Sequence, residues 1–118
     1  MEVRGIGGCG EQIARHTLLK KGYKILKANY RTPYGEIDVI ARKGNLIVFV
    51  EVKTRRSERF GLGEESITLM KKKHIIKAAQ YWILENYIPP QIRFDIIIVH
   101  QNNLGSFKVY HFKNAIME

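Results

Sequence analysis

The sequence predicts an α/β fold: a mixed central β-sheet flanked by α-helices, with elements in the order α-β-β-β-α-β-β. Three observations carry this. Residues 46–50 form a near-continuous apolar run, as in a strand buried on both faces, and residues 92–99 read as another buried strand. Two longer stretches repeat apolar residues at helical spacing, one ending at Gly22 and the other at Pro89-Pro90. The remaining segments are short and bounded by glycine, proline and asparagine, the punctuation of turns. At 118 residues the chain is expected to be one domain spanning 1–118. Folding would bury about two-thirds of the unfolded surface, enough for a real core.

Taken in order, Gly5, Gly7, Gly8 and Gly10 make residues 1–9 a flexible lead-in. They spell G-x-G-x-x-G, but no strand precedes them and no acidic residue follows about twenty positions on, so a dinucleotide site fails its context. Residues 11–21 are predicted as the first helix, stopped at Gly22. Ile13, Ala14, Thr17 and Leu18 share its inner side, and Glu11, two turns before Leu18, borders that side. Residues 23–29 read as a strand leading to a turn at Thr32-Pro33-Tyr34-Gly35. Residues 36–42 and 46–54 are the next two strands, joined through Lys43-Gly44-Asn45. Residues 55–66 are polar, glycine-punctuated and expected to be a mobile loop. Thr68 is the expected cap of a long helix over residues 69–86. Leu69, Ile75, Ile76, Ala79, Trp82 and Ile83 form its buried side, and proline ends it. After the strand at 92–99, a turn near Asn102-Asn103 leads to a last strand over 106–112.

Charge narrows the function. Twenty Lys and Arg stand against eleven Asp and Glu, a net charge of +9 and a pI near 9.8. Such an excess favours polyanions, nucleic acid ahead of acidic membrane surfaces. Lys53, Arg55, Arg56, Arg59, Lys71, Lys72, Lys73 and Lys77 concentrate it in one stretch, the expected phosphate contacts. The competing account is a solvated face that only keeps the protein soluble. Cys9 is the single cysteine, which excludes an intrachain disulfide and a cysteine-rich zinc site. No apolar run approaches the ~20 residues that span a bilayer, and the start lacks the layout of a secretory signal. A cytoplasmic protein without a membrane partner is expected.

The chemistry turns on the hairpin at 36–53. With Gly44-Asn45 as a two-residue turn, Lys43 faces Leu46, Ile40 faces Phe49, Asp38 faces Glu51 and Glu36 faces Lys53. Period-two alternation then sets these side chains on one face. Opposed carboxylates have Cβ atoms about 4.5–5.5 Å apart, and their repulsion at an effective dielectric of 20 is roughly 3 kcal/mol. Three resolutions exist: one carboxyl is protonated, a cation sits between them, or lysines neutralise them. A hard divalent ion such as Mg²⁺ or Mn²⁺ takes oxygen ligands, which Asp38, Glu51, the Val52 carbonyl and Glu11 can supply. Lys53 projects beside Glu51, where an ammonium can orient an attacking water or meet phosphate charge. The plainer account is a surface ladder with a Glu36–Lys53 ion pair.

Gly10-Glu11, Gly35-Glu36-Ile37-Asp38-Val39-Ile40-Ala41 and Phe49-Val50-Glu51-Val52-Lys53-Thr54-Arg55 together resemble the YraN-like family. That family is classed as candidate endonucleases of the restriction-endonuclease-like PD-(D/E)XK superfamily, distantly similar to archaeal Holliday junction resolvases. The resemblance spans nearly the whole chain, including Ala78-Ala79 and Arg93-Phe94-Asp95. It implies a mixed sheet between helices, Glu11, Asp38 and Glu51 as metal-binding acids, and Lys53 as the catalytic lysine. Ile37 stands where the superfamily's name has proline.

Lys73 and Gln80 lie along the edge of the long helix's apolar arc, where they reach either solvent or a substrate phosphate. Arg93 and Asp95 share a strand face and are expected to pair. His16, His74, His100 and His111 show no metal-ligand spacing and are assigned structural roles. Cys9 has no paired histidine at a nucleophile's spacing. The leading expectation is therefore a Mg²⁺- or Mn²⁺-dependent endonuclease hydrolysing phosphodiester bonds in DNA, branched DNA included, working as a homodimer. The alternative is a non-catalytic nucleic-acid-binding or scaffold module that keeps the fold.

Overall fold

The computed structural model describes residues 6–55, 69–102 and 104–116, with side chains from Gly10 onward. Elements follow in the predicted order: α1 (Ile6–Lys20), β1 (Lys24–Thr32), β2 (Gly35–Lys43), β3 (Leu46–Arg55), α2 (Leu69–Glu85), β4 (Gln91–Gln101) and β5 (Phe107–Phe112). The strands form one sheet in the order β1-β2-β3-β4-β5. β3 and β4 are parallel and the other neighbours antiparallel, so the sheet is mixed. A parallel pair needs a crossover, and α2 supplies it.

Each helix covers one face. On the first, Ala14 and Leu18 of α1 pack with Val39, Ala41, Val48, Val50, Ile97 and Val99. On the second, Ile75, Ala78, Ala79 and Trp82 of α2 pack with Ile40, Ile47, Phe49 and Phe94. Neighbouring β3 residues thus serve opposite cores, which explains the unbroken apolar run of that strand. Phe49 lies 5.4 Å from the Phe94 ring and 5.8 Å from Trp82, tying both central strands to α2.

Several boundaries differ from expectation for physical reasons. α1 begins at Ile6, taking in residues 6–9 of the expected lead-in. Gly10 serves close approach to the sheet: a methyl there would overlap Thr54 Cγ2. β1 runs on to Thr32, whose hydroxyl oxygen accepts the Tyr34 and Gly35 N–H groups and shapes the turn. Leu69, expected on the buried side, is 69% exposed; the buried residues of α2 begin at Ile75, so the apolar contact with the sheet starts further along the helix. The expected Thr68 cap, the 56–66 part of the expected loop and Asn103 lie outside the described residues. No helix among the described residues is long and apolar enough to cross a membrane.

Candidate functional site

The β2–β3 hairpin takes the predicted register. Lys43 pairs with Leu46, Ile40 with Phe49 and Val39 with Val50, around a turn with Gly44 at φ 61°. Regular pairing stops there, one residue short of Asp38. On the other side of β2 the pairing passes from Ala28–Val39 to Tyr30–Ile37, skipping Asn29, which has φ 53°. Packing changes with it, since Val39 joins the α1-side core and Ile37 the α2-side core. Asp38 therefore sits at a local irregularity where the sheet opens. Its Oδ2 accepts the Val52 N–H at 2.8 Å, in the position a β2 carbonyl would otherwise take.

Glu51 continues the α2-facing alternation of Ile47 and Phe49 and is only 5% exposed. Lys71, in the first turn of α2, donates to its Oε2 at 2.9 Å. That hydrogen bond is the main reason the Lys71 pKa is raised, and the charges of Asp38 and Glu36 add to it. Asp38 is pushed up to about 7, first by burial and then by the Glu51 charge, with Glu11 and Glu36 contributing and the Val52 N–H opposing. Of the three resolutions open to opposed carboxylates, two thus operate together: a lysine meets Glu51, and Asp38 holds its proton more tightly. Among the described residues Asp38 accepts one hydrogen bond, from the Val52 N–H, and forms no ion pair of its own.

Lys53 lies on the same alternation as Glu51 and is half-buried. Among the described residues it makes no hydrogen bond or ion pair. Glu11 is half-buried on α1 and acts on Asp38 through its charge. Glu36 does not pair with Lys53 as the plainer account supposed: it meets Arg31 Nε at 3.5 Å, because β1 sets Arg31 directly opposite it.

The predicted phosphate contacts spread around this pocket. Arg55 is half-buried and donates to the Thr54 carbonyl at 3.1 Å. Lys72 is half-buried, and Lys73, Lys77 and Gln80 are exposed along α2. Lys77 Nζ stands 5.6 Å over the Tyr34 ring. Lys71 is drawn into the carboxylate pocket itself, a role without local sequence signal because it depends on the parallel crossover. Arg56 and Arg59 lie outside the described residues. Arg93 and Asp95 pair as expected, at 2.8 Å.

Asp38, Glu51 and the backbone carbonyl of Val52 are oxygen donors, the type Mg²⁺ and Mn²⁺ take. In a strand, the N–H and C=O of one residue project to the same side, so the Val52 carbonyl shares the strand edge that Asp38 approaches. The raised proton affinity of Asp38 is a second mark of a pocket suited to a cation. Among the described residues no three His, Cys, Asp or Glu side chains gather as a metal cluster, so the fit rests on the hairpin pair and that carbonyl. Glu11 stands further out.

The model of the uncharacterised protein family UPF0102 matches residues 10–99. A UPF0102 protein of Caldanaerobacter subterraneus subsp. tengcongensis is 50% identical over 113 residues, covering 93% of each chain. Another, of Caldicellulosiruptor saccharolyticus, is 45% identical over 103 residues, covering 86% of this chain and 87% of the relative. Among solved structures, that of Pyrococcus furiosus SfsA in complex with Ca²⁺ aligns with 95% of this chain and 64% of its own, at 14% identity and a TM-score of 0.47. A likeness that distant bears on neither fold nor function.

Proposed function

The chain belongs to the UPF0102 family, and from that premise we propose that it is a metal-dependent endonuclease of the PD-(D/E)XK type, hydrolysing phosphodiester bonds in DNA. The observation that supports this best is the charge-deficient pair of carboxylates on adjacent strands, Asp38 and Glu51, with the half-buried Lys53 beside it. Asp38, Glu51 and the Val52 carbonyl would hold Mg²⁺ or Mn²⁺, with Glu11 joining through water. Such an ion lowers the pKa of water and offsets charge on a phosphoryl group.

The chain's own residues do the rest. Lys53 directs the attacking water and meets the charge that builds on the phosphoryl oxygens in the transition state. Lys71 holds Glu51 in one orientation through its 2.9 Å contact. Arg55, Lys72, Lys73 and Lys77, with Arg56 and Arg59, contact backbone phosphates and set the strand's register without reading its bases. A homodimer would extend the limited contact area of so small a domain. A second reading, a non-catalytic nucleic-acid-binding or scaffold module, draws on the same Lys71–Glu51 contact, which already gives that carboxylate a cation.

A panel of labelled duplex, flap, four-way junction and single strand, incubated with Mg²⁺ or Mn²⁺, tests the proposal. Cleavage of at least one substrate is expected, with Lys53→Ala slower by about 10²–10³-fold. Equal rates in the two proteins would remove Lys53 from the mechanism. An intact panel would leave the second reading in place.

A further inference from the structure

Apart from Lys77, the hydrolase reading leaves unused an aromatic and basic seam between α2 and the β1–β2 hairpin. Tyr34, at the hairpin turn, is 47% exposed. Lys77 lies over its ring, and Tyr81 meets it edge-on at 6.3 Å. One turn further along α2, Glu85 accepts a 2.7 Å hydrogen bond from the Tyr30 hydroxyl. There the seam widens into a groove of about 740 Å³. Tyr87, also 47% exposed, packs edge-on against Trp82 in that groove. Lys27 and Arg42 line it from β1 and β2, and both are exposed. Lys71, the Glu51 partner, opens α2 and Glu85 closes it, so at 1.5 Å per residue the seam leads about 20 Å away from the carboxylates.

We propose that this seam binds a single-stranded segment of nucleic acid, so that the substrates of the carboxylate pocket carry an unpaired strand. The substrate claim rests on the hydrolase reading, whereas the binding claim can be measured without it. Exposed tyrosine rings stack on any base, and flanking cations follow the phosphates, the combination by which proteins grip single strands without sequence preference. Double-stranded nucleic acid keeps its bases stacked on each other and offers these rings nothing. Lys77, Lys27 and Arg42 outnumber Glu85 along the seam, which complements an anionic strand.

Fluorescence anisotropy in EDTA, with oligo-dT, oligo-rU and blunt duplex of equal length, reads the binding directly. The native protein should hold a single strand more tightly than duplex, and the preferred oligomer tells DNA from RNA. Tyr34→Ala and Tyr87→Ala should each weaken strand binding about tenfold and leave duplex binding unchanged. Tyr34→Phe, which keeps the ring, should bind as the native protein does, and thermal melts confirm that each variant is folded. Equal affinity for duplex and strand, or folded alanine variants that bind strands normally, would overturn the proposal. Tyrosine-dependent strand binding without metal-dependent cleavage would support the seam and remove the hydrolase. Cleavage indifferent to unpaired strands and to both tyrosines would remove the seam alone.

Discussion

Asp38 on β2 and Asp95 on β4 are the same residue in one sheet, and their surroundings treat the ionised form in opposite ways. Asp95 is fully buried. It accepts two hydrogen bonds from Arg93 at 2.8 Å, one from His111 Nε2 at 2.7 Å and one from the Asn114 N–H at 2.9 Å. Lys21 lies 2.9 Å from His111 Nδ1, which fixes the ring hydrogen on Nε2, facing Asp95. Burial alone would raise the Asp95 pKa, but these bonds outweigh it and hold the group at about 2. Asp38 has one N–H and a neighbouring carboxylate, and is pushed up to about 7. A carboxylate whose charge is fully met ties strands together. One whose charge is left unmet is where the proposed cation would be held.

The largest effect should come from breaking the satisfied cluster. Asp95→Ala leaves Arg93, only 20% exposed, without its counter-ion, and should cost about 3–5 kcal/mol in urea unfolding. A loss below 1 kcal/mol would mean that Arg93 finds solvent and that the contrast is overstated. Gly10→Ala comes next, since its methyl must displace Thr54 or lift α1 from β3. A loss of about 1–3 kcal/mol is expected, and a normal melting temperature would show that the helix re-seats freely.

The unsatisfied site should respond in the other direction. Asp38→Asn removes the repulsion with Glu51 and should raise stability at pH 8 by about 1–2 kcal/mol after allowance for solvent screening, while abolishing cleavage. The pH profile separates the two aspartates by sign. Asp38 has a folded pKa above its unfolded value near 3.9, so its contribution is fully present below that value and is lost as pH climbs through about 7. Asp95 has the reverse displacement, so its contribution is present above the unfolded value and is lost as pH falls toward about 2. Chemical denaturation across pH 2–9 should find the neutral slope missing in Asp38→Asn and the acid slope missing in Asp95→Asn. Smallest of all, Lys53→Ala should alter stability by less than about 0.5 kcal/mol. A larger change would give Lys53 a structural role.

What the sequence made legible follows from how local the determinants are. The Gly44-Asn45 turn and the period-two alternation were enough to set the hairpin register as far as Val39–Val50. The expected Asp38–Glu51 pair lies beyond that regular pairing, and Glu51 reaches Asp38 through its charge. The shared face of Arg93 and Asp95 was legible in the same way. Long-range partners were not. Lys71 reaches Glu51 only because β3 and β4 are parallel and α2 crosses between them. His111 joins Asp95 from the neighbouring strand, and Tyr23 reaches Arg93 across 70 positions of chain. The break at Asn29 and Asp38, where pairing fails on both sides of β2, has no signature in hydrophobic pattern. Leu69 was misplaced because helical periodicity marks a face without saying where the apolar sheet beneath it ends.

The central claim, that the Asp38–Glu51 pair is a divalent-cation site, is tested most directly by melting the protein with and without Mg²⁺ or Mn²⁺ at pH 7.5. A ligand at a hundred times its dissociation constant stabilises the folded state by about 2.7 kcal/mol, so the native protein should melt several degrees higher with the ion. Glu51→Gln should lose that gain, whereas Asp95→Asn, though weaker overall, should keep it. An equal gain in the native protein and Glu51→Gln, or no gain in the native protein, would contradict the account.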